Sequence, residues 1–180
     1  LESKINRITD ILRRDDGISG AMMYTEQISW ILFLKFINDL EINKADDAEL
    51  DGKAYSYIVD HKYRWDIWAC PKIKEGVNKG KLDLINADSG DDLLDFVNGE
   101  LFPYLKGFKS ITADVKSVKY KIGAIFEFID NRIANGHTLR EVLNIIDEMN
   151  FHSNADLFQL SIIYEKLLKD MGSDGGNSGE

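Results

Sequence analysis

The sequence predicts an all-α protein, a bundle of about six to eight helices with one irregular, aromatic-rich middle segment. Three observations predict it. Apolar residues recur at spacings of three and four over most of the 180 residues. Only two prolines occur, Pro71 and Pro103, so long helices can run without interruption. Three Ser/Thr-x-x-acid shapes, at Ser89, Thr138 and Ser153, stand ahead of apolar runs, as capping boxes do, with Asp in place of Glu in two of them.

Residues 2–15 begin the chain with Ile5, Ile8, Ile11 and Leu12 on one helical stripe. Asp15-Asp16-Gly17 ends the run, with Gly17 as an expected left-handed stop. Ser19 is placed to cap a second helix reaching about Glu41. This helix is apolar on more than one face (Ile28, Trp30, Ile31, Leu32, Phe33, Leu34, Phe36, Ile37), which marks it as the centre of the core. The acidic stretch 42–51 is either a solvated turn or the end of that helix. Residues 52–90 are the least regular: Tyr55, Tyr57, Tyr63, Trp65 and Trp68 follow no clean period, KIKEGVNKGK (72–81) reads as a basic loop, and LDLIN (82–86) as a short strand or loop.

From Ser89 the helical period returns through Leu93, Leu94, Phe96, Val97, Leu101 and Phe102, with a bend at Pro103. A further helix is expected over about 113–134, with Val115, Val118, Ile122, Ile125, Phe126 and Ile129 inward and Asn135-Gly136 breaking it. Thr138 then starts a short helix through Leu139, Val142, Leu143 and Ile146. Ser153 starts the last, with Leu157, Leu160, Ile163, Tyr164, Leu167 and Leu168 on its apolar side.

Composition narrows the function. A net charge of −9 argues against a stand-alone, non-specific nucleic-acid binder, though a local basic patch stays compatible with it. The single cysteine, Cys70, forms no internal disulfide, and one Cys with three scattered His is too few for a zinc site. The longest apolar run, ISWILFLKFI (28–37), is half the length a bilayer span needs and contains Lys35, so no membrane association is expected. GxGxxG, Walker A, HExxH and GxSxG are all missing. His61, His137 and His152 are read as loop or capping residues, and Cys70 as a small apolar group. Asp46-Asp47 and Asp91-Asp92 are adjacent in sequence and read as solvated or helix-terminal acids. Trp30, Trp65 and Trp68 are read as core before base-stacking residues. No catalytic and no metal-binding residue is named.

Two segments depart from the acidic total. KIKEGVNKGK has four Lys against one Glu, and KGFKSITADVKSVKYK (106–121) has five Lys against one Asp. Such lysines suit contacts to a nucleic-acid backbone, which position a protein without reading sequence.

Two further stretches carry a resemblance. YTEQISWILFLKFINDLE (24–41) is similar to the Tyr…Leu-Phe-Leu-Lys-Phe/Tyr-Ile-Ser/Asn-Asp signature of the N-terminal domain of modification (M) subunits of type I restriction-modification systems. ADLFQLSIIYEKLLKDM…GGNSGE (155–180) resembles that family's Tyr-Glu-x-Leu-Leu helix and the polar loop after it, except that Gln159-Leu160 stands where many members have Leu-Gly. In the family this loop leads to Phe-Tyr-Thr-Pro and a catalytic domain, so 1–170 is expected to be the helical domain and 171–180 a linker, with the chain cut at the boundary. The resemblance implies a cytoplasmic parent protein that transfers a methyl group from S-adenosylmethionine to adenine N6 in DNA, through an Asn-Pro-Pro-Phe motif not found here. This chain alone is therefore expected to be inactive and to bind no cofactor. Its implied roles are to help clamp DNA with the second M subunit and to contact the specificity (S) subunit, with the restriction (R) subunit joining the full complex. Lys72, Lys74, Lys79, Lys81, Lys109, Lys116, Lys119 and Lys121 are the candidate phosphate contacts. Tyr164 and Glu165 are read as core and surface respectively. The competing reading is a stand-alone helical adaptor with no link to methylation; a small enzyme with an unrecognised site ranks below both.

Overall fold

The computed structural model describes residues 2–151. The chain divides into two compact units, residues 1–149 and 150–180. The described residues of the first unit form helices α1 (Glu2–Leu12), α2 (Ala21–Leu50), α3 (Trp65–Trp68), α4 (Gly90–Phe96), α5 (Phe102–Ile111), α6 (Val118–Phe126) and α7 (Gly136–Asp147). The only pairing of extended backbone among them is one antiparallel bridge, Lys72 with Leu82. The all-α expectation is met. The capping boxes at Thr138 and Ser89 are not made, and the one at Ser153 lies outside the described residues.

Helix α2 is the axis of the core. Every residue from Gln27 to Lys35 is buried, so the helix is enclosed on all sides. Trp30 meets Phe102 edge-on at 5.0 Å, Phe33 lies 6.0 Å from Phe126, and Phe102 meets Phe126 at 5.5 Å. These rings fasten α2 to α5 and α6, while α1 and α4 pack on α7. The acidic stretch 42–51 proves to be the continuation of α2 to Leu50, with its acids exposed. Gly20, not Ser19, precedes the helix; the Ser19 N–H points at the Met23 thioether at 3.2 Å.

Polar side chains buried with α2 hold the irregular segments in place. Gln27 is fully buried: its Oε1 accepts from Trp30 Nε1 (2.8 Å) and from the Arg132 N–H (3.0 Å), and its Nε2 donates to the Asp130 carbonyl (3.0 Å). Glu41, also buried, accepts from Tyr55 OH (3.0 Å) and from the N–H groups of Ile58 (2.5 Å) and Val59 (3.3 Å). One carboxylate thus orders the start of the aromatic-rich segment and satisfies backbone groups that no helix serves. Burial and the bond to Glu41 push the Tyr55 phenol up to about 12. Lys35 and Asp39 form a buried ion pair at 2.7 Å, one turn apart.

The end of α1 differs from expectation. Gly17 has no left-handed backbone. Glycine is needed there because a Cβ would overlap the Arg132 carbonyl. Asp15, buried beside it, accepts from the N–H groups of Gly17 (2.9 Å), Ala134 (2.9 Å) and Asn135 (3.0 Å), tying the first turn to the loop before α7.

The helix expected over 113–134 is confined to Val118–Phe126. Ser117 caps it by accepting from the Tyr120 N–H at 3.2 Å. Val115 is exposed, and Ile129 and Ile133 reach the core from a non-helical stretch, so the apolar spacing there runs on without a helix. Asn135 begins α7 by accepting from the N–H groups of His137 and Thr138, which leaves Thr138 inside the helix. Ser89 precedes α4 without a side-chain capping bond. The bend expected at Pro103 is a widened turn over Val97–Leu101, where the Phe102 N–H reaches back to the Val97 carbonyl. Proline lacks an N–H and its ring crowds the carbonyl four residues back; a wider turn accommodates both.

Candidate nucleic-acid interface

The eight candidate lysines fall on two supports. The first is a short antiparallel ribbon, in which the Ile73 N–H donates to the Lys81 carbonyl (2.9 Å) and the Gly80 N–H to the Ile73 carbonyl (2.8 Å). The Asp83 N–H donates to the Pro71 carbonyl (2.8 Å) at its base. Residues 74–81 are all exposed. Lys72 is not free for a ligand: its Nζ pairs with Asp147 on α7, whose other oxygen accepts from Trp65 Nε1 at 2.9 Å. Lys81 donates to Asn78 Oδ1 at 3.1 Å.

The second support is the α5–α6 pair. The helices cross at Gly123, where a Cβ would overlap the backbone nitrogen of Lys109. Lys109 is committed to Glu127 at 2.7 Å, which raises its pKa, and it lies 5.7 Å from the Tyr120 ring. Lys119 sits 6.0 Å from the ring of Phe108. Lys106, also on α5, pairs with Asp130 at 2.8 Å.

Pairing therefore divides the candidates. Among the described residues Lys74, Lys79, Lys116 and Lys121 are exposed and have no acidic partner. The sequence shows the lysines but not which acids reach them, since Asp147 and Glu127 lie 75 and 18 residues away from their partners.

The remaining candidates have structural places. Trp30, Trp65 and Trp68 are buried, which rules out base stacking by them. Cys70 is buried beneath α7, and burial, with the Asp147 charge, pushes its thiol up to about 12. Beside it Arg140 donates to the Asp88 carbonyl at 2.9 Å and to Asn144 at 3.0 Å. His61 and His137 are exposed; His152, Tyr164 and Glu165 lie outside the described residues. Among the described residues no group of three or more His, Cys, Asp or Glu is placed to hold a metal, and no helix is long and apolar enough to cross a membrane. Exposed lysines on the ribbon (Lys74, Lys79), in the turn before α6 (Lys116) and on α6 (Lys121) can bind an anionic backbone; they carry out no reaction by themselves.

A helical domain of this order, built around a second helix whose central turns are buried on all sides, is of the class found at the start of type I modification subunits. The chain belongs to the HsdM N-terminal domain family, whose model matches residues 1–146. It is 33% identical over its whole length to the type I restriction enzyme EcoEI methylase subunit of Escherichia coli, and it spans about a third (33%) of that relative. Among solved structures it resembles a modification subunit assigned to a type I restriction enzyme from Vibrio vulnificus YJ016, with a TM-score of 0.73 and 29% identity over 99% of this chain and 36% of that one. It also resembles a chain from a structural study of complex assembly and conformational transition in the type I R-M system, with a TM-score of 0.65 and 33% identity over 96% of this chain and 30% of that one. Family membership sets aside the stand-alone adaptor.

Proposed function

We propose that this chain is the non-catalytic arm of an adenine-N6-specific DNA methyltransferase, holding DNA through lysine contacts to phosphates. In this reading residues 1–170 form the arm and 171–180 the connection toward a catalytic domain. S-adenosylmethionine serves the whole protein and is not bound by this chain. The arm assembles with the specificity subunit and a second modification subunit, and with the restriction subunit in the full cytoplasmic complex.

The observation that supports the reading most directly is the set Lys74, Lys79, Lys116 and Lys121, exposed and without acidic partners among the described residues in a chain of net charge −9. The relative in E. coli is a methylase subunit, and one solved neighbour comes from work on assembly of a type I system. The test is DNA affinity against salt concentration, with the full-length subunit in its assembled complex. Replacing these four lysines by Gln lowers the slope of log K against log salt by about one per lysine that contacts a phosphate. An unchanged slope removes the proposal. A thermal-shift assay of the 180-residue chain with S-adenosylmethionine checks the cofactor statement: no shift is expected, and a reproducible rise in Tm contradicts it.

A further inference from the structure

The ribbon that carries Lys74 and Lys79 has a feature that phosphate contact leaves unused. The Lys79 N–H donates to the Gly76 carbonyl at 3.2 Å, making a tight turn with Val77 and Asn78 at its centre. The Lys81 N–H closes a second turn on the Asn78 carbonyl at 3.0 Å, with Gly80 at φ +86°, a conformation that favours glycine. Val77 is 100% exposed. Turn centres favour Gly, Pro, Asn, Asp and Ser, and a β-branched apolar residue gains nothing there in the free protein. The side chain is presented on a defined support, because the base of the ribbon is fixed to α7 through the Lys72–Asp147 pair, and Trp65 Nε1 on α3 holds the same Asp147 carboxylate in place.

We propose that the tip of this ribbon enters the major groove of bound DNA, with Val77 against base edges and Lys74 and Lys79 on the flanking phosphates. The proposal rests on the reading of the chain as a DNA-holding arm. Two paired strands lie about 4.8 Å apart. With side chains such a ribbon fits a major groove of about 12 Å and not a minor groove of about 6 Å. The apolar tip suits the thymine methyl group, which projects only into the major groove. Asn78, whose Oδ1 accepts from Lys81, keeps its amide N–H groups as donors for a base edge or a phosphate. Lys74 and Lys79 flank the tip and outweigh the exposed Glu75 beside it in the attraction to phosphates, and the ordering cost is small because both turns are already hydrogen-bonded.

The test uses the assembled enzyme, made with full-length subunit, on duplex DNA bearing its recognition site. Guanine N7 methylation, which blocks the major groove, is mapped by binding interference for the wild type and for a variant with residues 75–78 replaced by Gly-Gly. At least one guanine is expected to interfere with the wild type and not with the shortened ribbon. Val77→Asp is expected to weaken binding about tenfold, the size of one lost base-edge contact. Both changes lie on a fully exposed turn, and an unchanged melting temperature confirms that the fold is intact. Identical interference patterns, together with unaltered affinity for Val77→Asp, overturn the insertion. In that event the Lys116→Gln, Lys121→Gln double variant separates the two readings: a reduced salt slope keeps the DNA-holding arm without a groove-entering ribbon, and an unchanged slope removes both.

Discussion

Gln27→Met is the substitution that probes the core most sharply. The two side chains are close in length and flexibility, so the change empties little space. It removes an acceptor from Trp30 Nε1 and from the Arg132 N–H, and a donor from the Asp130 carbonyl. Trp30 is fully buried, so its indole N–H has no route to water. Each buried group left unpaired costs ~1–3 kcal/mol, and the loop carbonyl and N–H fall at the low end because their segment borders solvent. The thioether is easier to bury than an amide by ~1 kcal/mol, which leaves a net loss on the order of 2–4 kcal/mol. For a domain of this size that lowers Tm by roughly 10 °C, a large share of a typical total stability of about 5–15 kcal/mol. Chemical denaturation of wild type and variant measures it. A loss below about 1 kcal/mol would contradict the expectation, because these three groups would then find partners without Gln27.

Three other outcomes follow from the packing and the titrating groups. Gly123→Ala places a methyl group on the Lys109 backbone and forces α5 and α6 apart, at a cost of ~1–3 kcal/mol; an unchanged Tm contradicts the close crossing. Cys70 should resist thiol-specific reagents in the native chain at neutral pH and react only after unfolding, since it is buried and its thiol is pushed up to about 12; rapid native labelling contradicts this. Tyr55 and Tyr104 are pushed up from 10.0 to about 12, so their neutral forms favour the folded state. That contribution is intact below the unfolded value and is lost as pH rises through about 12; denaturation midpoints should fall across this alkaline window, and a flat profile there contradicts the assignment.

The most readable part of the sequence was α2. Its apolar residues lie on several faces, and that alone predicts an enclosed helix. The same stretch carries the family likeness, and its polar members explain themselves in the structure: Gln27 and Glu41 serve backbone groups in distant loops, and Lys35 pairs with Asp39. Such roles are invisible in sequence because the loop partners of Gln27 are more than a hundred residues away. Period failed where a buried stripe was not helical. Ile129 and Ile133 continue the spacing of α6 but reach the core from a non-helical segment that Asp15 and Gln27 hold by its backbone. Capping chemistry misled at Thr138, where Asn135, read as a helix breaker, is the residue that starts α7. The lysine segments were legible as charge. Their division into paired and unpaired members was not, because it depends on which acids the fold brings alongside.

The proposal that this domain holds DNA and leaves the chemistry to another part of the protein has a direct kinetic test. Steady-state methylation is measured with the assembled enzyme whose modification subunit carries Gln at 74, 79, 116 and 121. The KM for DNA is expected to rise about tenfold or more at physiological salt, with kcat within about twofold of the wild type, the pattern of lost ground-state binding. A fall in kcat with KM unchanged would place these residues in the chemical step and contradict a purely DNA-holding role.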